Sequence, residues 1–104
     1  MMKVKQKQDL VSLLQQYQDH LKGFGVRRCG LFGSFVKDKV NDESDVDILV
    51  MFEPELKTFD NFMGLSLFLE DLLGRKVDLI TVESLSPYIG EKILKEVEYV
   101  LLFE

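Results

Sequence analysis

The 104-residue sequence predicts an α/β domain, a sheet covered by helices, and three observations carry that prediction. Segments with apolar residues at helical spacing alternate along the chain with short apolar, β-branched runs. Glycine and proline stand at the junctions between them. Apolar residues make up 46% and charged residues 30%, a balance that builds one core beneath a charged surface. The length fits a single domain, expected to span residues 1–104.

Each element has its own local reason. In residues 9–22, Leu10, Leu13, Leu14, Tyr17 and Leu21 mark one face of a helix, and Gly23 and Gly25 follow as stop and turn. Residues 27–32 read as a short strand. Residues 45–52, DVDILVMF, are the clearest strand, ended by Glu53 and Pro54. Thr58 is the expected N-cap of a second helix, and Phe59, Phe62, Met63, Leu65, Phe68, Leu69, Leu72 and Leu73 are its apolar positions. Gly74 stops it. Residues 76–82, KVDLITV, form a β-branched strand, and Ser86-Pro87 opens a helix that runs to about Val97. Residues 99–103 are apolar, which fits either an edge strand of the same sheet or a surface that docks a partner.

Composition excludes several functions. The single Cys29 cannot form an internal disulfide and no metal-finger spacing exists, so a reducing cytoplasm is expected. Apolar runs are too short to cross a membrane, and MMKVKQKQDL has no apolar stretch behind its basic residues, so it is not expected to act as a secretory leader. The net charge of −5, without a basic stripe, argues against long nucleic acid as a partner.

Chemistry concentrates at Gly33-Ser34, Asp45-Val46-Asp47 and Asp78. Side chains alternate along a strand, so Asp45 and Asp47 share a face, roughly 7 Å apart along the chain. Two carboxylates on one face repel unless a cation lies between them, and such an oxygen pair suits Mg²⁺. Asp78 is flanked by Val77 and Leu79, where a buried carboxylate without a partner is costly. If its strand lies beside the first, Asp78 is the third carboxylate of a two-metal site. Gly33-Ser34 ends a strand and starts a helical turn. Its backbone N–H groups and serine hydroxyl suit an anion, and the glycine allows close approach. Among the other residues, His20 is expected at the surface and Cys29 in the core. Phe59, Phe62 and Phe68 are expected to be core residues, and the acid-rich stretch 38–45 a solvated loop.

LFGSFVKDKVNDESDVDILV resembles the GS…DxD signature of the nucleotidyltransferase superfamily that includes DNA polymerase beta. The short chain, KVDLIT and SPYIGEKILKEVEYV are similar to its minimal nucleotidyltransferase (MNT) branch. The resemblance covers about residues 26–100. It implies a single-domain α/β (α+β) nucleotidyltransferase fold, a small mixed sheet flanked by helices. It also implies that Gly33 and Ser34 hold the triphosphate of ATP, with Lys37 as the nearby cation. Many members follow the serine with a segment like RARG, whereas this chain has Phe35-Val36-Lys37-Asp38. Asp45, Asp47 and Asp78 are then the catalytic and metal residues, binding Mg²⁺ as two ions, and Asp78 helps activate the acceptor hydroxyl. MNT proteins commonly pair with a helical HEPN protein, as antitoxin to its toxin. The resemblance therefore implies transfer of AMP to a tyrosine on a HEPN partner. A non-catalytic MNT-fold module that neutralises its partner by covering it is the alternative. A receiver-type signalling domain fits poorly, because Asp45 and Asp47 begin a strand instead of ending one.

Overall fold

The computed structural model describes residues 3–102. Met1 and Met2, at the head of the MMKVKQKQDL stretch, and Phe103, in the terminal apolar segment, lie outside the described residues with Glu104. The first helical region is two helices, α1 (Lys7–Gln16) and α2 (Gln18–Gly23), where the sequence predicts one. Tyr17 leaves helical geometry at φ −105° and ψ 24°, and its ring meets Phe68 edge-on at 6.2 Å. The apolar spacing runs straight through this break, so periodicity could not reveal it. The helix also starts two residues earlier than predicted, and the Asp9 carboxylate reaches back to accept from the Lys5 N–H at 3.1 Å.

Strand β1 (Val26–Phe32) leads into a short 3₁₀ turn, Gly33–Phe35, and the acidic loop then delivers β2 (Val46–Phe52). Helix α3 (Phe59–Leu73) is capped as the sequence predicts. The Thr58 hydroxyl accepts from the Asn61 N–H at 3.1 Å, and Gly74 ends the helix at φ 68°. Strand β3 (Val77–Thr81) follows, then α4 (Pro87–Glu96), whose Ser86 cap accepts from the Ile89 N–H, and finally β4 (Glu98–Tyr99). Tyr99 pairs with Gly30 of β1, so the terminal segment begins as an edge strand of the chain's own sheet.

The sheet order is β3-β2-β1-β4, with β2 and β3 parallel and the other neighbours antiparallel. The sheet is therefore mixed, and its two faces are unequal. Val46, Ile48 and Val50 of β2, with Cys29 and Leu31 of β1, bury into the main core beneath α1, α2 and α3. Phe32 and Leu49 face the other way, into a smaller cluster with Ile93 of α4. Cys29 is a core residue, and burial pushes its thiol up to about 12. Phe62 and Phe68 pack against the core, but Phe59 is 76% exposed. It is the first helical residue, and the Thr58 cap turns it away from the sheet. His20 is exposed, as expected, and lies flat on Phe68 with centroids 5.4 Å apart.

Arg75 is a buried charge that nothing in the sequence singles out. Its guanidinium donates to the carbonyls of Val4 (2.7 Å), Asn41 (2.8 Å) and Ser44 (2.7 Å). Two of these lie in the loop that delivers Asp45, so Arg75 holds the acidic loop against the end of α3. No helix among the described residues is long and apolar enough to cross a membrane. Arg75→Ala leaves three carbonyls without their donor, and a loss of about 3 kcal/mol in urea unfolding is the expected outcome.

Candidate active site

The site lies on the thinner face of the sheet, at the end where β1 finishes and β2 and β3 begin. Parallel register pairs Val46 with Val77, Asp47 with Asp78 and Ile48 with Leu79. Paired residues in adjacent strands point to the same face, so Asp47 and Asp78 stand side by side, their backbones about 4.8 Å apart. Asp45 immediately precedes β2, and its two-residue offset puts it on the Asp47 side. Asp78 is exposed, contrary to the burial its apolar neighbours suggest. Val77 and Leu79 point to the core face, and the edge strand leaves Asp78 toward solvent.

The Gly33 turn closes the other side. Phe32 pairs with Asp47 across β1 and β2, which brings the next residue against that carboxylate. Gly33 has φ +77°, and a Cβ there would fall on the Asp47 side chain. Glycine is thus required twice, by the backbone angle and by the space. Ser34 follows in the same turn and is half-buried. Lys37, one turn further, is largely exposed and pairs with Glu96 at 3.3 Å. Glu96 also accepts from the Gly33 N–H at 3.1 Å. Sequence reasoning missed Glu96, because no local pattern links the end of α4 to a turn 63 residues earlier.

Electrostatics mark Asp47 as the centre of the cluster. Burial, then the neighbouring charges of Asp78, Asp45 and Glu96, push its carboxyl up to about 6, opposed only by Lys37. Oxygen donors of this kind match a hard cation such as Mg²⁺, whose charge would relieve the same repulsion. As the side chains stand, no three acidic, histidine or cysteine groups among the described residues are gathered closely enough to hold an ion. The donor chemistry fits the ion, and the side chains would have to close around it.

A small mixed sheet with a glycine-serine turn facing carboxylates on its next two strands defines the minimal nucleotidyltransferase class. Residues 8–102 match the family described as polymerase beta, nucleotidyltransferase, and the chain belongs to that family. It is 43% identical over 94 residues to the protein adenylyltransferase MntA of Thermococcus cleftensis, covering 89% of this chain and 94% of that one. A solved structure described as a minimal nucleotidyltransferase superposes with a TM-score of 0.78 at 30% identity, over 89% of this chain and 94% of the other. The fold is also that of a chain in a toxin–antitoxin crystal structure with AMP-PNP, at TM-score 0.68 and 20% identity, over 94% of this chain and 74% of that one.

The raised Asp47 carboxyl has a consequence for stability. Its folded pKa of about 6 exceeds its ordinary 3.8, so the folded state holds the proton more tightly than the unfolded one. This group therefore subtracts stability as pH rises between those values, and contributes nothing below both. Asp47→Asn should be more stable than the parent at about pH 7.5 and level with it at about pH 3.5, as read by urea unfolding at each pH.

Proposed function

We propose that this chain is a Mg²⁺-dependent protein adenylyltransferase that moves AMP from ATP onto a hydroxyl group. The acceptor is a tyrosine of a cognate HEPN toxin, which the chain silences in the cytoplasm as its antitoxin. The observation that carries this reading is the Asp47–Asp78 pairing with Gly33 packed against Asp47. The relative named as a protein adenylyltransferase supports the donor and the acceptor class, and the toxin–antitoxin structure with AMP-PNP supports the setting.

The chain's own residues divide the work. The Gly33 N–H, the Ser34 hydroxyl and the Lys37 ammonium hold the triphosphate. Asp45, Asp47 and Asp78 would hold two Mg²⁺ ions, which supply the positive charge that offsets the triphosphate and the developing charge on the leaving group. Asp78, exposed on the edge strand, takes the proton of the acceptor hydroxyl. The acceptor oxygen then bonds to the α-phosphorus, the bond to the β-phosphate oxygen breaks, and pyrophosphate leaves. Such transfer rests on positioning and charge more than on covalent chemistry, so few side chains suffice.

A second reading has one observation in its favour. Glu96 already engages the Gly33 N–H and Lys37, as it would in a domain that neutralises its partner by binding alone. Co-expression with the product of the adjacent gene, followed by intact mass spectrometry, separates the two. The expected result is a partner heavier by one or more AMP groups. An unmodified yet silenced partner would leave the binding module. Asp47→Ala should lower transfer at least about a hundredfold, the scale of a lost charge-stabilising ligand, while thermal unfolding shows an intact fold.

A further inference from the structure

We propose that Glu96 is a built-in competitor for the phosphate site, an anionic latch that ATP must displace before it can bind. The inference rests on the nucleotide reading of Gly33, Ser34 and Lys37. Its physical basis is that two of those three residues already serve a carboxylate. One Glu96 oxygen accepts from the Gly33 N–H at 3.1 Å, and the other lies 3.3 Å from the Lys37 Nζ. A phosphate oxygen would seek the same two donors, because both anions accept from N–H groups and pair with ammonium.

The position of Glu96 is unfavourable for any other reason. It is the last residue of α4, where the helix carries partial negative charge and a cation is the favoured occupant. It also faces the acidic cluster and is one of the charges that push Asp47 upward. Among the described residues, the Gly33 N–H and Lys37 are the groups seen to offset these repulsions. The backbone beneath it is held on both sides. The Val97 N–H donates to the Ile93 carbonyl at 2.9 Å, and the Val100 N–H to the Cys29 carbonyl at 3.0 Å. Release therefore needs no movement of α4. The side chain is 28% exposed, so rotation about its own bonds carries the carboxylate into water. A state with the latch closed does not bind the triphosphate, so the apparent affinity is the intrinsic affinity multiplied by the fraction of time the latch is open.

The test is calorimetric titration of the full chain with ATP and Mg²⁺, comparing Glu96→Ala, Glu96→Gln and Glu98→Gln. Glu98 is exposed and pairs with Lys7, so Glu98→Gln removes the same charge nearby without touching the Gly33 turn. Glu96→Ala should bind about tenfold tighter than the parent, the scale of one charge-assisted hydrogen bond lost by the competitor. Glu96→Gln keeps the volume and an acceptor for Gly33, and should gain about threefold by losing the ion pair. Glu98→Gln should stay within about twofold, as solvent-screened surface charges do. A damaged fold can only weaken binding, so a gain cannot come from structural loss, and the glutamine variant serves where the alanine variant does not fold. Parent and Glu96 variants that bind ATP equally, or variants that bind it less well, would overturn the latch and leave the nucleotide site standing. Equal gains from Glu98→Gln and Glu96→Gln would also overturn it, assigning the effect to net charge. If neither the parent nor any Glu96 variant binds ATP, the nucleotide reading falls and the latch with it.

Discussion

The arrangement of this protein depends on β2 being buried on both faces. Val46, Ile48 and Val50 are 0%, 1% and 1% exposed on the side of α1, α2 and α3, while Leu49 is 1% exposed toward α4. A one-residue slip against β3 would bring Asp78 to the core face and Val77 to the site face, and would bury a charge where the sheet now buries a methyl-bearing side chain. The carboxylate geometry is thus fixed by hydrophobic packing on the opposite side of the same strand. Among themselves the acids contribute repulsion. Their proximity is maintained by residues that never face them.

That division explains which parts of the molecule were legible in the sequence. Helix ends announced themselves because their causes are local: Thr58, Gly74, Ser86 and Pro87 act within one turn of where they stand. The alternation of Asp45 and Asp47 with apolar residues gave the face they share, since strand parity is a local property, whereas Asp78 joins them only through the register of β3 against β2. The interruption at Tyr17 was hidden, because two short helices in line present the same apolar spacing as one long helix. Phe59 departs from the expected core because helical spacing takes no account of its place as the first residue of α3, beside the cap. Arg75 and Glu96 were illegible for a different reason. Each acts across more than 30 residues of chain, on backbone groups that carry no sequence signature.

Arg75 and Glu96 also show how the site is framed by groups that do not belong to its signature. The buried guanidinium spends its donors on carbonyls of the loop before Asp45 and at the start of the chain, joining segments that no strand pairing connects. Glu96 does the reverse, bringing a helix end onto the turn after β1. One fixes where the acidic loop enters β2, and the other fills the donors opposite it. Between them, the loop and the turn are held in place by one charge of each sign.

Because β3 is the outermost strand of the sheet, Asp78 has a neighbouring strand on one side only among the described residues. A catalytic cleft sunk between domains admits small molecules and screens out large ones by their bulk. A carboxylate on an outer rim makes the opposite selection, since a residue still attached to a folded body can be laid alongside it without being threaded inward. On the proposed reading, this open flank lets an acceptor residue reach Asp78 without a second lobe to carry it inward. On that reading, discrimination among acceptors passes to whatever surface brings the two bodies together.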